Sequence, residues 1–325
     1  MLDLSIIIVS YNVRELLGDC LRSLYSNVGI SMKVYVADND SHDGSADLVA
    51  AEFPQTHLMR SPINGGYAYA NNLALKDMGL SPASSNDESV SGQQSTNNSH
   101  SSGRYILLLN PDTSLPSGAL RSMVEYMDEH PEVGIAGPKL VRQDGTLDLA
   151  CRRSFPTPEI SLYRMLGISK LFPNSRRFAR YNLTYLDPDL PAEVDSVVGA
   201  FMMIRREAIE QAGLLDETFF LYGEDLDLAL RIKSKGWKVM YYPEVTVLHY
   251  KGESSRRHRS KALIEFYRSM LIFYRKHYAR DTFFLLDWII VAAILLRGAI
   301  AYAWYLTNLV EPRELFRPRS SASGS

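Results

Sequence analysis

The sequence predicts an α/β fold in which a mostly parallel, twisted sheet is flanked by helices. The first observation is the continuous apolar, β-branched run at residues 4–9, which is typical of a strand buried on both faces. The second is residues 13–27, whose apolar positions have the spacing of a helix with one buried stripe. The third is the repeated order of strand and helix up to another apolar run at residues 104–109, which indicates a parallel sheet.

The same patterns predict the remaining elements of a domain that covers residues 1–255. Strands are expected at residues 33–37 and near Leu58, and Asp43-Gly44-Ser45 opens the helix between them. Further helices are expected at residues 117–129 and from Arg206. The later strands are expected at residues 134–140, 147–152, 196–204, near Val239 and at 245–248.

Residues 80–103 interrupt this domain with a stretch dominated by serine, asparagine and glutamine. Such a composition offers almost no apolar surface to bury, so we expect a disordered insertion in a surface loop. The entropic cost of closing a loop grows only with the logarithm of its length. An insertion of this size is therefore compatible with a stable domain, and we assign it no function.

The C-terminal part is predicted to be a helical, membrane-associating region at residues 256–312, with a basic, disordered tail at 313–325. Residues 283–309 are apolar enough to cross a bilayer, which takes about 20 apolar residues. Asp287 and Arg297 interrupt them, and basic residues flank both ends, whereas a spanning helix normally carries them on one side. These features favour an apolar helix or helical pair lying in the membrane interface over a helix that spans it. The alternative without a membrane is a buried helix packed on the domain, and we expect membrane contact rather than such packing.

Composition and charge exclude some classes of function. Apolar residues make up 46% of the 325 residues, which is enough to fill a globular core. The formal charge of −2 is unlike that of nucleic-acid-binding proteins, so no nucleic-acid partner is expected. Cys20 and Cys151 form no metal or redox motif and suit a reducing compartment. The first residues show no basic leader, which makes a cytoplasmic location the expectation.

Polar residues follow four predicted strands at their carboxyl ends, where open α/β sheets bind ligands. No G-x-G-x-x-G fingerprint follows the first strand, which argues against a dinucleotide-binding dehydrogenase. One polar strand end is weak evidence, because Asp and Asn often cap helices. Four in succession indicate a ligand site: Ser10 and Tyr11, Asp38 and Asn39, Asn64 to Gly66, and Asn110 and Asp112.

Asp112 follows a buried strand, and Pro111 stiffens the turn that carries it. A carboxylate at this place suits a divalent cation that bridges a diphosphate, because Mg²⁺ and Mn²⁺ prefer oxygen ligands. A type I turn, in which Pro and Asp are ordinary residues, explains the motif equally well on its own.

A second acidic group, Glu224-Asp225-Leu226-Asp227, stands between an aromatic segment and a predicted helix. Acidic residues at a helix start are stabilised by the helix dipole, so capping explains them without a function. They also suit a general base for a hydroxyl group. Asp227 and Arg231 are spaced to pair along the helix, which leaves Glu224 and Asp225 to face a cleft.

His249 ends the last predicted strand, and a basic run that includes Arg256 and Arg257 follows it. A lone histidine is usually structural, and a basic run is usually a solvated loop. The functional alternatives for the run are a flap that closes on phosphate and a contact with anionic lipid.

In this order, the motifs resemble those of the family 2 glycosyltransferases of GT-A fold, especially the bacterial rhamnosyltransferase-like branch. The resemblance covers residues 4 to about 255, without the insertion at 80–103, and it covers the C-terminal helices only loosely. The matching segments are residues 8–12, 38–41, 64–72, 109–113, 199–202, 219–227 and 249–254.

The resemblance implies a donor site for a nucleoside-diphosphate sugar at the strand ends. The nucleoside base would lie on Tyr11 and Asp38. The other residues implied in donor binding line the ribose and diphosphate region or follow the last strand, and they are Ser10, Asn64, Gly66, Asn71, Asn110 and Arg256.

The resemblance also implies a metal site and a catalytic acid pair. Asp112 would bind Mg²⁺ or Mn²⁺ as the last acid of the family's Asp-x-Asp motif, with His249 as a further ligand. Asn110 stands where that motif has its first acid, and this departure implies a weaker metal site. Asp225 would be the catalytic base, and Glu224 would bind the acceptor hydroxyl.

The reaction that the resemblance implies is a single inverting displacement. The branch suggests deoxythymidine-diphosphate rhamnose as the donor. The acceptor would be a glycan or lipid-linked glycan of cell-surface polysaccharide synthesis, at the cytoplasmic face of the membrane. The oligomeric state is left open.

Two alternatives remain. A nucleotidyltransferase of sugar-nucleotide synthesis also binds a nucleotide and a metal at a parallel sheet, but it would carry a Gly-rich, basic loop after the first strand. This chain has Ser10-Tyr11-Asn12-Val13 there. A catalytically inactive, membrane-bound scaffold of the same fold is the second alternative, and the retained Asp112, Asp225 and His249 argue against it.

Overall fold

The structure is a computed structural model that describes residues 2–81, 102–250 and 259–307. The chain divides into two compact units, Met1–Ser254 and Ser255–Ser325. Most of the predicted insertion at 80–103, the basic run with Arg256 and the predicted tail at 313–325 lie outside the described residues. What the sequence predicts for these segments therefore stays a prediction.

The first unit is built from a sheet and the helices around it. Its strands are β1 (Leu4–Ser10), β2 (Met32–Asp38), β3 (His57–Arg60), β4 (Tyr105–Leu109), β5 (Thr113–Ser114), β6 (Val133–Val141), β7 (Ala192–Glu193), β8 (Phe201–Arg205) and β9 (Lys238–His249). Its helices are α1 (Arg14–Tyr25), α2 (Ser45–Glu52), α3 (Tyr67–Asp77), α4 (Ala119–Glu129), α5 (Pro158–Met165), α6 (Ile168–Leu171), α7 (Arg206–Ala212) and α8 (Glu224–Ser234).

The strands of the described residues form one nine-stranded sheet in the order β3-β2-β1-β4-β8-β6-β9-β5, and β7 pairs with β9. In the group β3-β2-β1-β4 each strand is parallel to the next, and β6 is parallel to β9. Strand β8 lies antiparallel between β4 and β6, and β5 and β7 are antiparallel to β9. The predicted α/β sheet with flanking helices is confirmed, and the insertion of β8 makes it mixed.

The centre of the sheet is buried as its apolar sequence predicts. All residues of β1 and all residues of β4 are buried. Helix α1 covers the sheet with the predicted stripe, in which Leu17, Cys20, Leu21 and Leu24 are buried. Burying a side chain of this size contributes about 1.5–3 kcal/mol, so this packing holds the carboxyl ends of β1 and β4 in fixed positions.

Two local predictions are wrong. The strand expected at residues 147–152 is replaced by a single 3₁₀ turn, Leu149–Cys151, because the side chain of Asp148 accepts a hydrogen bond from Ala150 N. The two strands expected near Val239 and at 245–248 are one continuous strand, β9, whose register against β6 shifts between Pro138 and Lys139. A bulge of this kind lets one strand pass an irregular segment without ending.

The second unit contains helix α9 (Arg259–His277), a 3₁₀ turn (Ala279–Asp281) and helix α10 (Phe284–Leu306). Residues 284–306 form one helix, which has a mean hydropathy of 2.1 and is long and apolar enough to cross a membrane. The carboxylate of Asp287 accepts a hydrogen bond from Tyr274 Oη at 2.9 Å, so this charge faces α9. Most large apolar side chains of α10 are exposed, and Trp288 is 75% exposed.

Candidate active site

The register of β1 and β2 brings the first two predicted polar strand ends together. Ser10 pairs with Asp38, and Asn39 N donates to Ser10 O at 2.8 Å. Asp38 is buried, and its Oδ1 accepts a hydrogen bond from Ser41 N at 3.0 Å. Its Oδ2 and the Oγ of Ser10 are buried and have no hydrogen bond to any described residue. A buried carboxylate oxygen without a donor is costly unless a ligand supplies one.

Asn39 fixes the glycine-rich loop that precedes α3. Its Nδ2 donates to Asn64 Oδ1 at 2.9 Å, and its Oδ1 accepts from Gly65 N at 3.1 Å. Tyr67 N donates to Phe220 O at 2.8 Å, which joins this loop to the aromatic segment before α8. The sequence marked Asn39 only as a polar strand end, because its pairing with the loop is a tertiary contact.

Gly66 is required by this loop, and replacing it gives a stability prediction. Its φ is +92°, and a Cβ atom would lie 2.4 Å from Phe220 O. Gly118 has a similar φ of +82° but nothing within 4 Å of its Cβ position, so it is a matched control. We expect Gly66→Ala to lower the free energy of unfolding by about 1–3 kcal/mol more than Gly118→Ala, measured by urea denaturation. Equal losses for the two variants would show that the contact with Phe220 does not constrain the loop.

The other predicted donor residues are placed as follows. Asn71 is buried on α3, where its Nδ2 donates to Tyr67 O at 2.9 Å while its Oδ1 has no hydrogen bond within the described ranges. Tyr11 is half-buried directly after β1. Asn110 N donates to Ala200 O at 3.0 Å, so the end of β4 lies beside the segment that leads into β8.

The pairing of β5 with β9 brings the two predicted metal ligands together. Thr113 lies opposite His249 in the antiparallel register, and Tyr250 N donates to Asp112 O at 2.8 Å. As a result, His249 Nε2 is 3.3 Å from Asp112 Oδ1, and both side chains are buried. The two residues are far apart in sequence, so their contact depends wholly on this strand pairing.

Asp148 is a further member of this cluster that sequence reasoning missed. Its carboxylate is fully buried, and its Oδ2 lies 3.0 Å from His249 Nδ1. Burial alone lowers the pKa of His249, but the two carboxylates outweigh it and raise that pKa to about 9. A carboxylate on the second ring nitrogen fixes the orientation of a histidine, which is a common arrangement behind metal ligands. Asp148 belongs to a turn after β6, and no local pattern signals that it faces His249.

The donor atoms of this cluster fit a divalent cation that takes its remaining ligands from a substrate. Within the described ranges, no group of three or more His, Cys, Asp or Glu side chains is assembled to hold a metal by itself. Asp112 Oδ1 is buried and accepts no hydrogen bond from a described residue, which leaves one oxygen beside the ring nitrogen of His249. Mg²⁺ is commonly held by one or two carboxylates together with substrate phosphates and water.

Asp225 is fixed at the start of α8 by three hydrogen bonds. Its Oδ2 accepts from Arg153 Nη2 at 2.7 Å and from Gly199 N at 3.1 Å, and its Oδ1 accepts from Leu226 N at 2.7 Å. Arg153 is buried, which opposes its charge, but Asp225 and Tyr181 outweigh burial and raise the pKa of the guanidinium. No sequence pattern indicates Arg153 as a partner of Asp225, because the two residues are far apart along the chain.

Glu224 differs from its neighbour. It is buried, and its Oε2 has no hydrogen bond among the described residues. Burial and the adjacent Asp225 raise the pKa of its carboxyl group, which favours the protonated form. The predicted pair of Asp227 and Arg231 is confirmed at 2.8 Å. This pairing accounts for Asp227, whereas no hydrogen bond to a described residue accounts for the buried Oε2 of Glu224.

Tyr67 lies where the two acidic motifs meet. Its hydroxyl group donates to Gly199 O at 2.9 Å, and Gly199 N donates to Asp225. Burial raises the pKa of Tyr67, and Glu224, Asp225 and Asp112 raise it further by their negative charge. The two acidic motifs predicted from the sequence therefore face one site at the carboxyl ends of the strands.

Comparison with known proteins gives a consistent family match. The model of the family described as glycosyltransferase like family 2 matches residues 3–265. An N-acetylglucosaminyl-diphospho-decaprenol L-rhamnosyltransferase of Mycobacterium tuberculosis is 26% identical over 270 residues, which are 83% of each chain. The rhamnosyltransferase WbbL of Escherichia coli is 26% identical over 262 residues, which are 79% of this chain and 87% of that protein.

Solved structures show the same fold. The mannosyltransferase PcManGT from Pyrobaculum calidifontis, in complex with GDP-Man and Mn²⁺, matches 96% of this chain and 81% of its own, with a TM-score of 0.53 and 18% identity. Residues 1–349 of S. aureus TarS match 96% of this chain and 77% of that chain, with a TM-score of 0.53 and 14% identity. At these identities the likeness concerns the fold alone, and the predicted GT-A fold is confirmed.

Proposed function

The chain belongs to the glycosyltransferase like family 2, and from this premise we propose that it is an inverting enzyme that moves a sugar from a nucleoside diphosphate to a lipid-linked glycan. The observation that carries this proposal is a set of contacts beside strand ends suited to a nucleotide: Tyr67 and Asp225 both bond Gly199, and Asn110 of the Asp112 motif bonds the adjacent Ala200. A metal-binding acid and a base candidate at one site are the parts that transfer from a diphosphate requires.

The donor site is proposed at the ends of β1, β2 and β4. The unpaired Oδ2 of Asp38 suits a base that presents an N–H group, which includes the thymine of the predicted donor. Asn64, Gly66 and Asn71 stand along the neighbouring loop and α3, where the ribose and diphosphate are proposed to lie. Because the relatives of Mycobacterium tuberculosis and Escherichia coli described above are rhamnosyltransferases, rhamnose is the sugar that we propose.

Asp112 and His249 are the residues proposed to hold Mg²⁺ or Mn²⁺. Such a cation, when bound, would neutralise negative charge on the diphosphate leaving group. Asp148 would keep the imidazole of His249 oriented, with Nε2 toward Asp112. Arg256, predicted to assist at the diphosphate, lies outside the described residues.

The proposed reaction is one displacement. The Asp225 carboxylate takes the proton of the acceptor hydroxyl, and the oxygen forms a bond to the anomeric carbon. The bond from that carbon to the diphosphate oxygen breaks on the opposite side, and its electron pair leaves with the diphosphate. Protonated Glu224 is suited to donate a hydrogen bond to a substrate hydroxyl, because its pKa is raised. The configuration at the anomeric carbon is inverted.

A panel of sugar nucleotides tests this function. With Mn²⁺ present, deoxythymidine-diphosphate rhamnose should bind and be slowly hydrolysed, and an acceptor glycan should turn hydrolysis into transfer.

Asp38→Asn should weaken binding of the thymidine nucleotide by about 10-fold or more, since an amide carbonyl is a weaker acceptor than a carboxylate. Release of pyrophosphate from a nucleoside triphosphate and a sugar phosphate would instead identify a nucleotidyltransferase.

Helix α10 is proposed to hold the enzyme at the cytoplasmic face of the membrane, where a lipid-linked acceptor lies. Its exposed apolar side chains have a length and composition that suit the bilayer. Asp287 faces α9 through Tyr274, which lets the rest of the helix present an apolar surface. These features support membrane contact by this helix in either an interfacial or a spanning position.

Charged substitutions on α10 test the membrane proposal. Ile289 and Leu296 are each 63% exposed, so Ile289→Asp with Leu296→Asp should not disturb the packing of the helix. We expect this variant to move from the membrane to the soluble fraction, because a carboxylate in the bilayer costs about 2–3 kcal/mol. Val28→Asp with Leu190→Asp changes exposed apolar residues of the first unit and should stay with membranes. An unchanged partition of the α10 variant would contradict the proposal.

A further inference from the structure

The segment between residues 152 and 190 of the first unit has a composition unlike that of the whole chain. It holds seven Lys or Arg residues and three Asp or Glu residues, whereas the chain has 35 basic and 37 acidic residues. Five of its large apolar side chains are exposed, and they are Leu162, Leu166, Leu171, Phe172 and Leu190. Exposed apolar side chains beside an excess of positive charge indicate a surface that contacts something other than water.

Three basic side chains of this segment line a half-open surface pocket. Arg176, Arg177 and Arg180 line it together with Glu159 and Ile160, and its volume is about 300 Å³. Arg177 Nε lies 3.2 Å from the carboxylate of Glu159. Arg176 and Arg180 take part in no ion pair with the residues that the structure describes, so their charges are available to a ligand.

Aromatic side chains of this segment are in contact with one of its arginines. The ring of Phe172 packs 5.6 Å from that of Phe178, which packs 4.9 Å from that of Tyr163. The hydroxyl of Tyr163 accepts a hydrogen bond from Arg177 Nε at 3.1 Å. We call this surface the basic–apolar patch and define it by Leu162, Leu166, Leu171, Phe172, Arg176, Arg177 and Arg180.

The patch is connected to the candidate base through adjacent residues. Arg153, which pairs with Asp225, also interacts with Tyr181. Ser154 N donates to Tyr181 O at 2.9 Å, and the guanidinium of Arg164 lies 4.1 Å from the ring centre of Tyr181. Arg180 of the patch immediately precedes Tyr181 in the chain. Asp225 and Arg180 of the patch are therefore linked by a short series of contacts through Arg153 and Tyr181.

We propose that the basic–apolar patch binds the diphosphate and the adjoining lipid chain of the acceptor, with Arg176 and Arg180 on the phosphates. Guanidinium groups match phosphate oxygens in charge and geometry, and the exposed leucines offer an apolar surface to the lipid. Three arginines around one half-open pocket suit a diphosphate group, which several guanidinium groups can contact at once. This proposal rests on the proposed transfer to a lipid-linked acceptor, and it adds where the acceptor's lipid-diphosphate part is recognised.

Removal of two positive charges from the patch is the central test. The variant is Arg176→Ala with Arg180→Ala, and the control is Arg60→Ala with Arg121→Ala, which removes two exposed charges from other elements of the first unit. Binding is measured to phosphatidylcholine vesicles that contain a few per cent of either decaprenyl diphosphate or phosphatidylglycerol. The patch variant should bind the diphosphate vesicles about 10-fold or more weakly, with phosphatidylglycerol binding unchanged. The control should behave like the wild type on both.

Steady-state kinetics distinguish this inference from the proposed function. With N-acetylglucosaminyl-diphospho-decaprenol as acceptor, the patch variant should show a KM raised about 10-fold with kcat nearly unchanged, because binding and not the reaction step is affected. An octyl glycoside of the same sugar, which lacks the diphosphate, should react equally with variant and wild type. A wild type that transfers to neither acceptor would contradict the proposed function, while the vesicle measurement still decides the role of the patch.

Two outcomes would overturn the role of the patch. One is unchanged binding of the variant to the diphosphate vesicles. The other is an equal loss of binding to both kinds of vesicle, which would show attraction to any anionic membrane. Because Arg176 and Arg180 are exposed, both variants should keep the wild-type melting temperature, and this is checked first.

Discussion

Replacing Asp225 by asparagine is expected to lower kcat for sugar transfer by about 10²–10⁴-fold, the usual contribution of general-base catalysis. Asparagine keeps the shape of the side chain but cannot take the proton of the acceptor hydroxyl. Binding of the sugar nucleotide should stay within about threefold of the wild type, because Asp225 is proposed to act on the acceptor. The measurements are single-turnover transfer and calorimetric titration with the nucleotide.

The buried partner of Asp225 makes a stability control necessary. Asp225→Asn leaves the guanidinium of Arg153 without its counter-ion, and an unpaired buried charge costs about 3–5 kcal/mol. A lower melting temperature alone would then reduce activity. The double variant Asp225→Asn with Arg153→Gln removes both charges and should recover much of the stability without recovering transfer. Recovery of activity together with stability would show that Asp225 is structural.

Glu224 is the competing candidate for the base. Its Oε2 is buried without a hydrogen bond within the described ranges, whereas both oxygens of Asp225 accept hydrogen bonds. If Asp225 is the base, Glu224→Gln should mainly raise the KM of the acceptor, since glutamine still offers a hydrogen-bond donor. A loss of kcat in Glu224→Gln with near-normal kcat in Asp225→Asn would move the base to Glu224.

The sequence was informative wherever the function depends on the ends of buried strands. Ser10 and Asp38 follow apolar runs that form neighbouring parallel strands, so their approach is a direct consequence of the pattern. The pairing of Asp112 with His249 was inferred from the family resemblance, and the antiparallel pairing of β5 with β9 gives it a geometric basis. No periodic pattern encodes that short strand.

Residues whose role depends on long-range contacts could not be found in this way. At residues 147–152, where the sequence predicts a strand, the structure has a 3₁₀ turn capped by Asp148. The carboxylate of Asp148 also faces His249. Arg153 lies in a segment with little regular structure, and its partner Asp225 is on α8. Local propensity describes neither contact, because each depends on how distant segments pack.

The expected result for Asp112→Asn is a loss of about 10²–10³-fold in kcat/KM, since a bound cation contributes several kcal/mol of charge stabilisation at a leaving group. The amide oxygen that replaces the carboxylate carries no net charge and is a weaker ligand. In the wild type, a chelator should abolish transfer, and Mg²⁺ or Mn²⁺ should restore it. Transfer that is indifferent to chelator in the wild type would remove the metal role from Asp112.

Asp148→Asn provides the graded control for that result. Asp148 contacts His249 Nδ1 and not the proposed metal, so its loss should weaken metal binding by about 10–100-fold. High Mn²⁺ concentrations should therefore restore the rate of Asp148→Asn. High Mn²⁺ concentrations should not restore the rate of Asp112→Asn, because this variant lacks the carboxylate proposed to bind the metal. Since Asn110 supplies no second carboxylate, the proposed metal site has few protein ligands, and both variants should show Mn²⁺ saturation curves shifted to higher concentration than the wild type.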